Sequence, residues 1–302
     1  MTDVAVGGRS VSLSRPDKVL FGDPGISKVE LAEYYRAVAD AMLPQLRDRP
    51  LALQRFPDGI DGPGFFQKRR PDSAPDWVGG VVLPRESEGG SIDMICCPDT
   101  ATLVYLADQA VLAVHPWLSR ADRPHHPVRL VFDLDPPDDD FGTVRFAARA
   151  LHDLLDEIDL PGYPMTTGSR GLHVTVPLDG RADFDTVRDF AGDVADVLAA
   201  RHPDRLTTRV RKNQRRGRLF LDTLRNAYGQ HSIAPYSPRP LPGAPVATPL
   251  DWAEVADGSL TARRYTLRTV TDRLDRHGDP WRGINRHAHG LAAARRALRR
   301  LT

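Results

Sequence analysis

Hydrophobic and polar positions along this 302-residue chain follow two different periods, and each change of period predicts a new element. After Ser27, apolar residues recur at helical spacing as far as Met42, and Glu30 completes the spacing of a capping box. Residues 51–69 predict two short strands around a turn rich in proline and glycine. Residues 101–114 predict a largely buried helix, so the N-terminal third is expected to mix helices with strands.

Strand patterns alternate with helical patterns from residue 128 onward, which predicts an α+β (mixed α/β) fold. No segment has the composition of a linker, and we therefore expect a single domain over residues 1–302. The predicted elements are a strand at 128–135, a helix at about 141–158, strands at 163–167 and 172–178, a helix at about 183–201, a strand at 218–224, a proline-rich extended arm at 234–250 and two closing helices.

Composition indicates the class of protein and its compartment. Hydrophobic residues make up 41% of the chain and charged residues 27%, a balance typical of globular proteins. No run of about 18 apolar residues is present, and the N-terminus lacks the pattern of a signal peptide, so no membrane segment is predicted. The only cysteines, Cys96 and Cys97, match neither a disulfide framework nor a zinc site. A cytoplasmic protein is expected.

Charge is nearly balanced overall but unevenly distributed. The net charge of +1 predicts no binding to nucleic acid by itself. Residues 183–196, however, hold five Asp and one Arg, whereas residues 201–218 hold eight Lys/Arg and one Asp. This asymmetry predicts a local basic surface that the average conceals.

The stretch "LVFDLDPPDDD" at 130–140 delivers two carboxylates from an apolar strand. Asp133 and Asp135 are two residues apart and therefore project to one face of the strand. Neighbouring carboxylates repel each other unless a cation lies between them, and their hard oxygens suit Mg²⁺ or Mn²⁺. Asp222 in "RLFLDTL" also follows an apolar strand, and three such acids can hold two metal ions. The alternative interpretation of Asp133 and Asp135 is a solvated acidic strand end.

The turn "TTGSRGLHVTVPL" at 166–178 combines glycines with Ser169 and Arg170, which are donors suited to an anion. A phosphate site and a plain glycine hairpin both remain compatible with this turn. His173 follows it, and this histidine is either a structural hydrogen-bonding residue or a phosphate contact. For His115 in "VHPW", a structural role and a contact with substrate are equally supported interpretations.

Four motifs occur in a fixed order along the chain: "VFDLDP", "TTGSRGLHV", "LFLDTLRN" and "IAPYSPR". Together they resemble the polymerase domain of bacterial DNA ligase D, in the archaeo-eukaryotic primase superfamily. The likeness extends from "SLSRPDKVLF" to "TPLDWAEV". It implies a catalytic core of antiparallel and mixed sheets flanked by helices. It further implies DNA and template contacts in residues 1–120, catalysis in about 121–260 and closing helices in about 261–302.

The resemblance also implies a reaction and a set of site residues. The reaction is template-directed nucleotidyl transfer, which extends primers with NTPs or dNTPs at DNA gaps and double-strand-break ends. Two Mn²⁺ or Mg²⁺ ions would be held by Asp133, Asp135 and Asp222. The nucleotide would be bound by Thr167, Ser169, Arg170, His173, Arg239, His115 and Gln54. Lys18 and Lys28 would bind a downstream 5′-phosphate of the DNA. Phe65 and Phe66 would pack against template bases, although a core strand role is the alternative for them. Arg215 and Arg216 would bind at the primer terminus.

Departures from the family pattern affect specificity and partners. Arg170 stands where relatives often have Lys, and Gln54 and Arg15 differ from the family near the ribose, so the choice between ribonucleotides and deoxyribonucleotides stays open. We expect a stand-alone, monomeric polymerase at the bacterial nucleoid, acting with a separate DNA ligase and a Ku-type protein. End joining, gap filling and priming all stay open as its pathway. The alternatives are a metal-dependent nuclease and a DNA end-bridging module without catalysis.

Overall fold

The computed structural model describes residues 1–85 and 89–301. The strands in these ranges are β1 (Thr2–Val6), β2 (Arg9–Leu13), β3 (Val19–Phe21), β4 (Ile26–Ser27), β5 (Leu51–Arg55), β6 (Phe65–Gln67), β7 (Gly80–Pro84), β8 (Ser91–Ile95), β9 (Val111–Pro116), β10 (Ser119–Arg120), β11 (Arg123–Pro127), β12 (Arg129–Asp135), β13 (Tyr163–Thr166), β14 (Leu172–Pro177), β15 (Leu206–Thr207), β16 (Leu219–Asp222) and β17 (Thr248–Pro249). The helices are α1 (Lys28–Ala37), α2 (Ala39–Leu46), α3 (Thr100–Asp108), α4 (Phe141–Glu157), α5 (Phe184–Arg201), α6 (Lys212–Arg215), α7 (Trp252–Ala256), α8 (Val270–His277) and α9 (Leu291–Leu298), with a 3₁₀ turn at Ile284–His287.

The chain forms two compact units, each built from several segments. Unit 1 comprises Met1–Asp122, His231–Ala247 and Tyr265–Gly278, and unit 2 comprises Arg123–Gln230, Thr248–Arg264 and Asp279–Thr302. Both contain helices together with antiparallel strand pairs, so the predicted mixed α/β class is confirmed. Among the described residues, no helix combines the length and apolar composition needed to cross a bilayer.

Unit 1 contains a three-stranded sheet of order β6-β5-β9 and the two-stranded pairs β1-β2, β3-β4 and β7-β8. The capping box predicted for α1 is present: Ser27 accepts a hydrogen bond from the Glu30 N–H, and the Glu30 carboxylate accepts one from the Ser27 N–H. The helical pattern divides into α1 and α2 at Val38, which ends one helix and begins the next. The apolar face of this pair packs into the core of unit 1.

The prediction of one helix over residues 101–114 is wrong in its second half. Helix α3 ends at Asp108, and Ala110 has a φ of 53°, in the left-handed region, where the chain turns into β9. Every residue of β9 is buried, so its apolar run shows no alternation. A short run that is buried on both sides cannot be assigned to helix or strand by periodicity alone. The pairing of β9 with β5 shows that this run is a strand.

Unit 2 is built on a six-stranded sheet of order β15-β16-β12-β14-β13-β17. Strand β12 pairs antiparallel with β14 on one side and with β16 on the other, whereas β15 and β16 are parallel. Helices α4 and α5 both contact β12. The predicted strands of this region therefore form the sheet that positions the acidic residues, and the predicted helices pack against it.

Candidate active site

The acidic residues of unit 2 are positioned by strand register. Asp133, near the end of β12, is the direct partner of Asp222 on β16 and of His173 on β14. Directly opposed residues of an antiparallel pair project to the same face. Asp135 lies two residues farther along β12 and shares that face. We call Asp133, Asp135 and Asp222 the acid cluster, since the sheet places all three carboxylates on one face of adjoining strands.

Arginine and histidine side chains surround the two acids of β12. The Arg225 Nε donates to Asp133 Oδ2 at 3.0 Å, and the His173 Nε2 lies 3.5 Å from the same oxygen. The Arg215 Nη1 donates to Asp135 Oδ2 at 3.0 Å, and the Arg170 Nη2 donates to Asp135 Oδ1 at 3.3 Å. The Arg215 guanidinium also lies over the Phe220 ring, 4.0 Å from its centroid. Both carboxylates are therefore held by positive groups.

The two acids of the opposed pair differ in how their pKa values shift. Burial alone would raise the pKa of the Asp133 carboxyl, but the His173 imidazole and the Arg225 guanidinium outweigh burial and hold it well below its usual value. Burial raises the pKa of Asp222; the Leu224 N–H and the Arg225 charge oppose that shift, and the charges of Asp133 and Asp135 add to it. Of the opposed pair, Asp222 is therefore the acid whose negative charge is less compensated.

The chemistry of the acid cluster fits a divalent cation. Hard carboxylate oxygens are the ligands that Mg²⁺ and Mn²⁺ prefer, and the mutual repulsion felt by Asp222 is what a bound cation relieves. In residues 1–85 and 89–301, no three His, Cys, Asp or Glu side chains are gathered into a ready metal site. Guanidinium groups instead hold oxygens of Asp133 and Asp135.

The predicted phosphate turn is the hairpin between β13 and β14. The Thr167 N–H and Oγ1 both donate to the Gly171 carbonyl, at 3.1 and 3.0 Å, and Thr167 Oγ1 accepts from the Ser169 N–H at 3.3 Å. Gly171 is required here, because a Cβ at this position would collide with the Leu134 carbonyl oxygen. Arg170 is exposed at the tip of the turn. The hairpin thus brings Ser169 and Arg170 to the acid-cluster end of β12.

Sequence reasoning missed two residues of this site. Arg225 makes a shorter contact with Asp133 than His173 does, and it lies three residues after Asp222 in the quoted motif "LFLDTLRN". Asn226 is fully buried; its Oδ1 accepts from the Val131 N–H at 2.9 Å, and its Nδ2 donates to the Val131 carbonyl at 2.8 Å. Because β16 leaves the ladder after Asp222, this side-chain amide takes the place of a strand partner.

Unit 1 carries the predicted template and sugar contacts. Phe65 and Phe66 on β6 are 48% and 51% exposed, so they are not core residues. The Phe66 ring contacts the imidazoles of His115 and His231, with centroid distances of 5.6 and 5.8 Å. Gln54 is the direct partner of Phe66 across the β5–β6 pair. Phe66, His115 and His231 form one group of rings beside Gln54, while the Arg55 guanidinium lies over the Phe65 ring. The contacts of these residues with template and nucleotide stay predictions.

The two predicted phosphate-binding lysines are also in unit 1. The Lys28 N–H donates to the Lys18 carbonyl at 2.9 Å, which extends the β3–β4 ladder by one position. Lys18 Nζ lies 2.7 Å from Asp58 Oδ1. Lys28 is buried, and its Nζ lies 3.1 Å from Asp108 Oδ1. We call Lys18 and Lys28 the lysine pair.

The remaining predicted residues lie in loops. Arg239 belongs to unit 1, where its N–H donates to the Pro245 carbonyl at 2.7 Å, and its contact with a triphosphate stays a prediction. Arg216 is exposed and ends α6 in a left-handed conformation with a φ of 52°. Its neighbour Arg215 is engaged with Asp135. The contacts of Arg215 and Arg216 with a primer terminus stay predictions.

The fold and site together have the arrangement of a primase-polymerase catalytic core. The family model "LigD, primase-polymerase domain" matches residues 27–281, and the chain belongs to this family. The resemblance inferred from the four motifs is thereby confirmed.

Relatives and a solved structure agree with this family. The multifunctional non-homologous end joining DNA repair protein LigD of Mycobacterium tuberculosis (strain ATCC 25618 / H37Rv) is 36% identical over 279 residues, covering 89% of this chain and 36% of that protein. The bifunctional non-homologous end joining protein LigD of Bacillus subtilis (strain 168) is 35% identical over 268 residues, covering 88% of this chain and 42% of that protein. The chain thus spans well under half the length of these relatives. The solved polymerase domain of Mycobacterium tuberculosis ligase D in complex with DNA has a TM-score of 0.86 and 34% identity, covering 92% of this chain and 99% of that one.

Proposed function

We propose that this chain is a template-directed nucleotidyltransferase, which extends primers with NTPs or dNTPs at DNA gaps and double-strand-break ends. The observation that carries the proposal is the register of the sheet in unit 2. It places Asp133 directly between Asp222 and His173, with Asp135 beside them. Membership in the LigD primase-polymerase family supports the same activity.

The acid cluster would hold two Mn²⁺ or Mg²⁺ ions through Asp133, Asp135 and Asp222. When bound, such ions lower the pKa of the primer 3′-hydroxyl and neutralise the charge of the leaving pyrophosphate. Binding them requires the guanidinium groups of Arg225, Arg215 and Arg170 to release the oxygens that they hold. Until then, each of these arginines supplies a positive charge to the acid that it contacts.

The residues around the acid cluster supply positive charge for a triphosphate. Arg170 and Ser169 present donors at the tip of the β13–β14 turn, and His173 is fixed on β14 opposite Asp133. Positive groups of this kind stabilise the negative charge that develops on phosphate oxygens during phosphoryl transfer. Arg170 keeps the charge of the more usual lysine but adds a planar, forked set of donors.

The features of unit 1 support DNA as the other substrate. Exposed aromatic rings such as Phe65 and Phe66 provide surfaces on which bases stack. The lysine pair provides two positive charges suited to a downstream 5′-phosphate. Relatives of this chain are named for non-homologous end joining. The proposed partners of the chain are therefore a Ku-type end-binding protein and a DNA ligase of that pathway.

Primer extension on a one- to three-nucleotide gap tests the proposal. Reactions contain Mn²⁺ or Mg²⁺, and NTPs are compared with dNTPs to settle the sugar preference. We expect extension by the unaltered protein, none after chelation of the metal, and none with Asp133→Ala. Asp139→Ala is the matched control, because Asp139 is an exposed acid of the loop that follows β12, and we expect it to retain activity.

Two other outcomes would replace the proposal. Loss of nucleic acid without any need for nucleoside triphosphates would indicate a nuclease. Binding to gapped DNA without extension under any metal would indicate an end-bridging module. Full activity of Asp133→Ala would contradict the assignment of the acid cluster.

A further inference from the structure

The backbone brings the two residues of the lysine pair together just beyond the β3–β4 ladder. Val19 and Ser27 are direct partners in that ladder, and the next bond runs from the N–H of Lys28, the first residue of α1, to the Lys18 carbonyl. Like charges that lie close together are unfavourable unless a group of opposite sign is nearby. Each lysine has such a group, but the two groups differ in kind.

The acid beside Lys18 is a surface residue. The Asp58 side chain is 72% exposed, and its Oδ1 accepts one bond from Lys18 Nζ at 2.7 Å. The hydrogen bond and charge of Lys18, with a smaller contribution from the charge of the exposed Arg15, lower the pKa of Asp58. An exposed ion pair of this kind is weak, because water and salt screen it.

The acid beside Lys28 is nearly buried and accepts several hydrogen bonds. The side chains of Lys28 and Asp108 are only 5% and 13% exposed. Asp108 Oδ1 accepts three hydrogen bonds: from the Ser14 N–H at 2.7 Å, from Ser14 Oγ at 2.8 Å and from Lys28 Nζ at 3.1 Å. Lys28 Nζ also donates to Ser14 Oγ at 3.0 Å. An ammonium group has three donors, so one donor of Lys28 is left for a ligand.

The bonds of Asp108 also determine where Lys18 lies. Ser14 begins the segment that leads to Lys18, and Arg15 turns it with a φ of 49°. The Lys18 N–H closes this turn on the Arg15 carbonyl at 3.0 Å, and the Val29 N–H bonds the Pro16 carbonyl at 3.0 Å. Fixing Ser14 at the end of α3 therefore fixes the backbone that carries Lys18 as well as the ammonium of Lys28.

We propose that Asp108 is the positioning residue of a phosphate-binding site at the lysine pair, and that Asp58 is the carboxylate that the phosphate displaces. The inference rests on the proposed function, in which the ligand is the 5′-phosphate of the downstream DNA strand. A terminal phosphate carries about 1.5 to 2 negative charges and three acceptor oxygens, so it binds two ammonium groups better than the single charge of Asp58 does. Asp108 stays in place, since its oxygen is committed to Ser14.

The test compares gapped DNA with and without a 5′-phosphate on the downstream strand. Fluorescence anisotropy gives the dissociation constant for each DNA. The constant for the DNA without the phosphate, divided by the constant for the DNA with it, measures recognition of the phosphate. We expect Asp108→Asn to reduce this ratio by about fivefold, because the amide keeps an acceptor for Ser14 but loses the charge that directs Lys28. We expect Asp58→Asn to increase the ratio by about twofold.

Asp99→Asn is the matched control. Asp99 caps the other end of α3 through Thr102, and asparagine caps a helix equally well, so the ratio should equal that of the unaltered protein. Thermal unfolding checks that Asp108→Asn is folded. Should it fail to fold, Ser14→Ala tests the hydrogen bonds among Ser14, Asp108 and Lys28 without removing a charge. We expect it to lower the ratio by about twofold. Inorganic phosphate, added as a competitor, should weaken only the binding of the phosphorylated DNA.

The inference is overturned if Asp108→Asn, or Ser14→Ala in its place, leaves the ratio unchanged, since Asp108 would then be purely structural. It is also overturned if Asp58→Asn weakens both DNAs equally, or if inorganic phosphate competes with both. Failure of the proposed function would show separately: the unaltered protein would then fail to extend a primer on an open template that has no downstream strand.

Discussion

The acid cluster of unit 2 and the lysine pair of unit 1 each bring like charges together, and the two sites have opposite sign. The β12–β16 ladder sets Asp133 directly opposite Asp222, whereas a backbone bond just beyond the β3–β4 ladder joins Lys28 to Lys18. In each, side chains of opposite sign hold the pair: Arg225 on Asp133, and Asp108 on Lys28. Such pairs cost stability, so their presence points to a ligand of the opposite charge.

The two sites differ in how their holding groups are bound. Arg225 is a half-exposed side chain that bonds Asp133 through one contact, whereas Asp108 is nearly buried and accepts four bonds, three at Oδ1 and one at Oδ2. The acid cluster is therefore arranged to release its partners, and the lysine pair is arranged to keep one of them. This difference is what the following predictions test.

Asp222→Asn should give the largest effect. We expect primer extension to fall by at least about 100-fold, because the acid cluster loses a metal ligand. The free energy of unfolding should stay the same or rise by up to about 1 kcal/mol, because a partly buried carboxylate with like-charged neighbours is removed. Extension assays and urea unfolding measure the two quantities. Asp139→Asn is the control, and a loss of stability alongside the loss of activity would contradict this account of Asp222.

Asn226→Ala should give a large loss of stability. Removing the amide leaves the N–H and carbonyl of Val131 without the partners that Asn226 supplies, which costs about 2–4 kcal/mol. Urea unfolding measures the loss, with Asn213→Ala on the exposed helix α6 as the control. A change below about 0.5 kcal/mol would show that β12 does not depend on this anchor.

Lys28→Met and Lys18→Met should separate the two members of the lysine pair. The first leaves the Asp108 carboxylate nearly buried without its ammonium partner and should cost about 2–4 kcal/mol of unfolding free energy. The second breaks an exposed contact with Asp58 and should leave stability nearly unchanged. Equal losses from the two changes would mean that the lysines are held in the same way.

Salt dependence gives the smallest of these effects. Each phosphate contact that is removed lowers the slope of log affinity against log salt by about one. Lys18→Met should show this reduction for gapped DNA with a 5′-phosphate and no change for the same DNA without it. An equal reduction for both DNAs would place Lys18 at the DNA backbone instead.

Sequence predicted the parts of the fold and site that depend on local spacing. The capping box at Ser27 is such a case, as is the shared face of Asp133 and Asp135, because each depends on residues two or three positions apart. The contact of Asp133 with Asp222 could only be supposed from the similar ends of two strands, and the register of β12 with β16 shows it.

Contacts between distant segments could not be predicted in this way. Arg225 reaches Asp133 across 92 positions, and Asp108 reaches Lys28 across 80. No spacing rule connects such residues, since the fold alone brings them together. Phe65 and Phe66 show the same limit: an apolar pair on a short strand suits a core or a surface, and only packing decides between them.

The most direct test of the central claim is whether the nucleotide added at a one-nucleotide gap follows the template base. Four gaps that differ only in that base are each offered all four nucleotides separately, with Mn²⁺ present. A template-directed nucleotidyltransferase should add the complementary nucleotide preferentially at every gap, and Asp133→Ala should add none. Addition of the same nucleotide whatever the template base, or no addition at any gap, would contradict the claim.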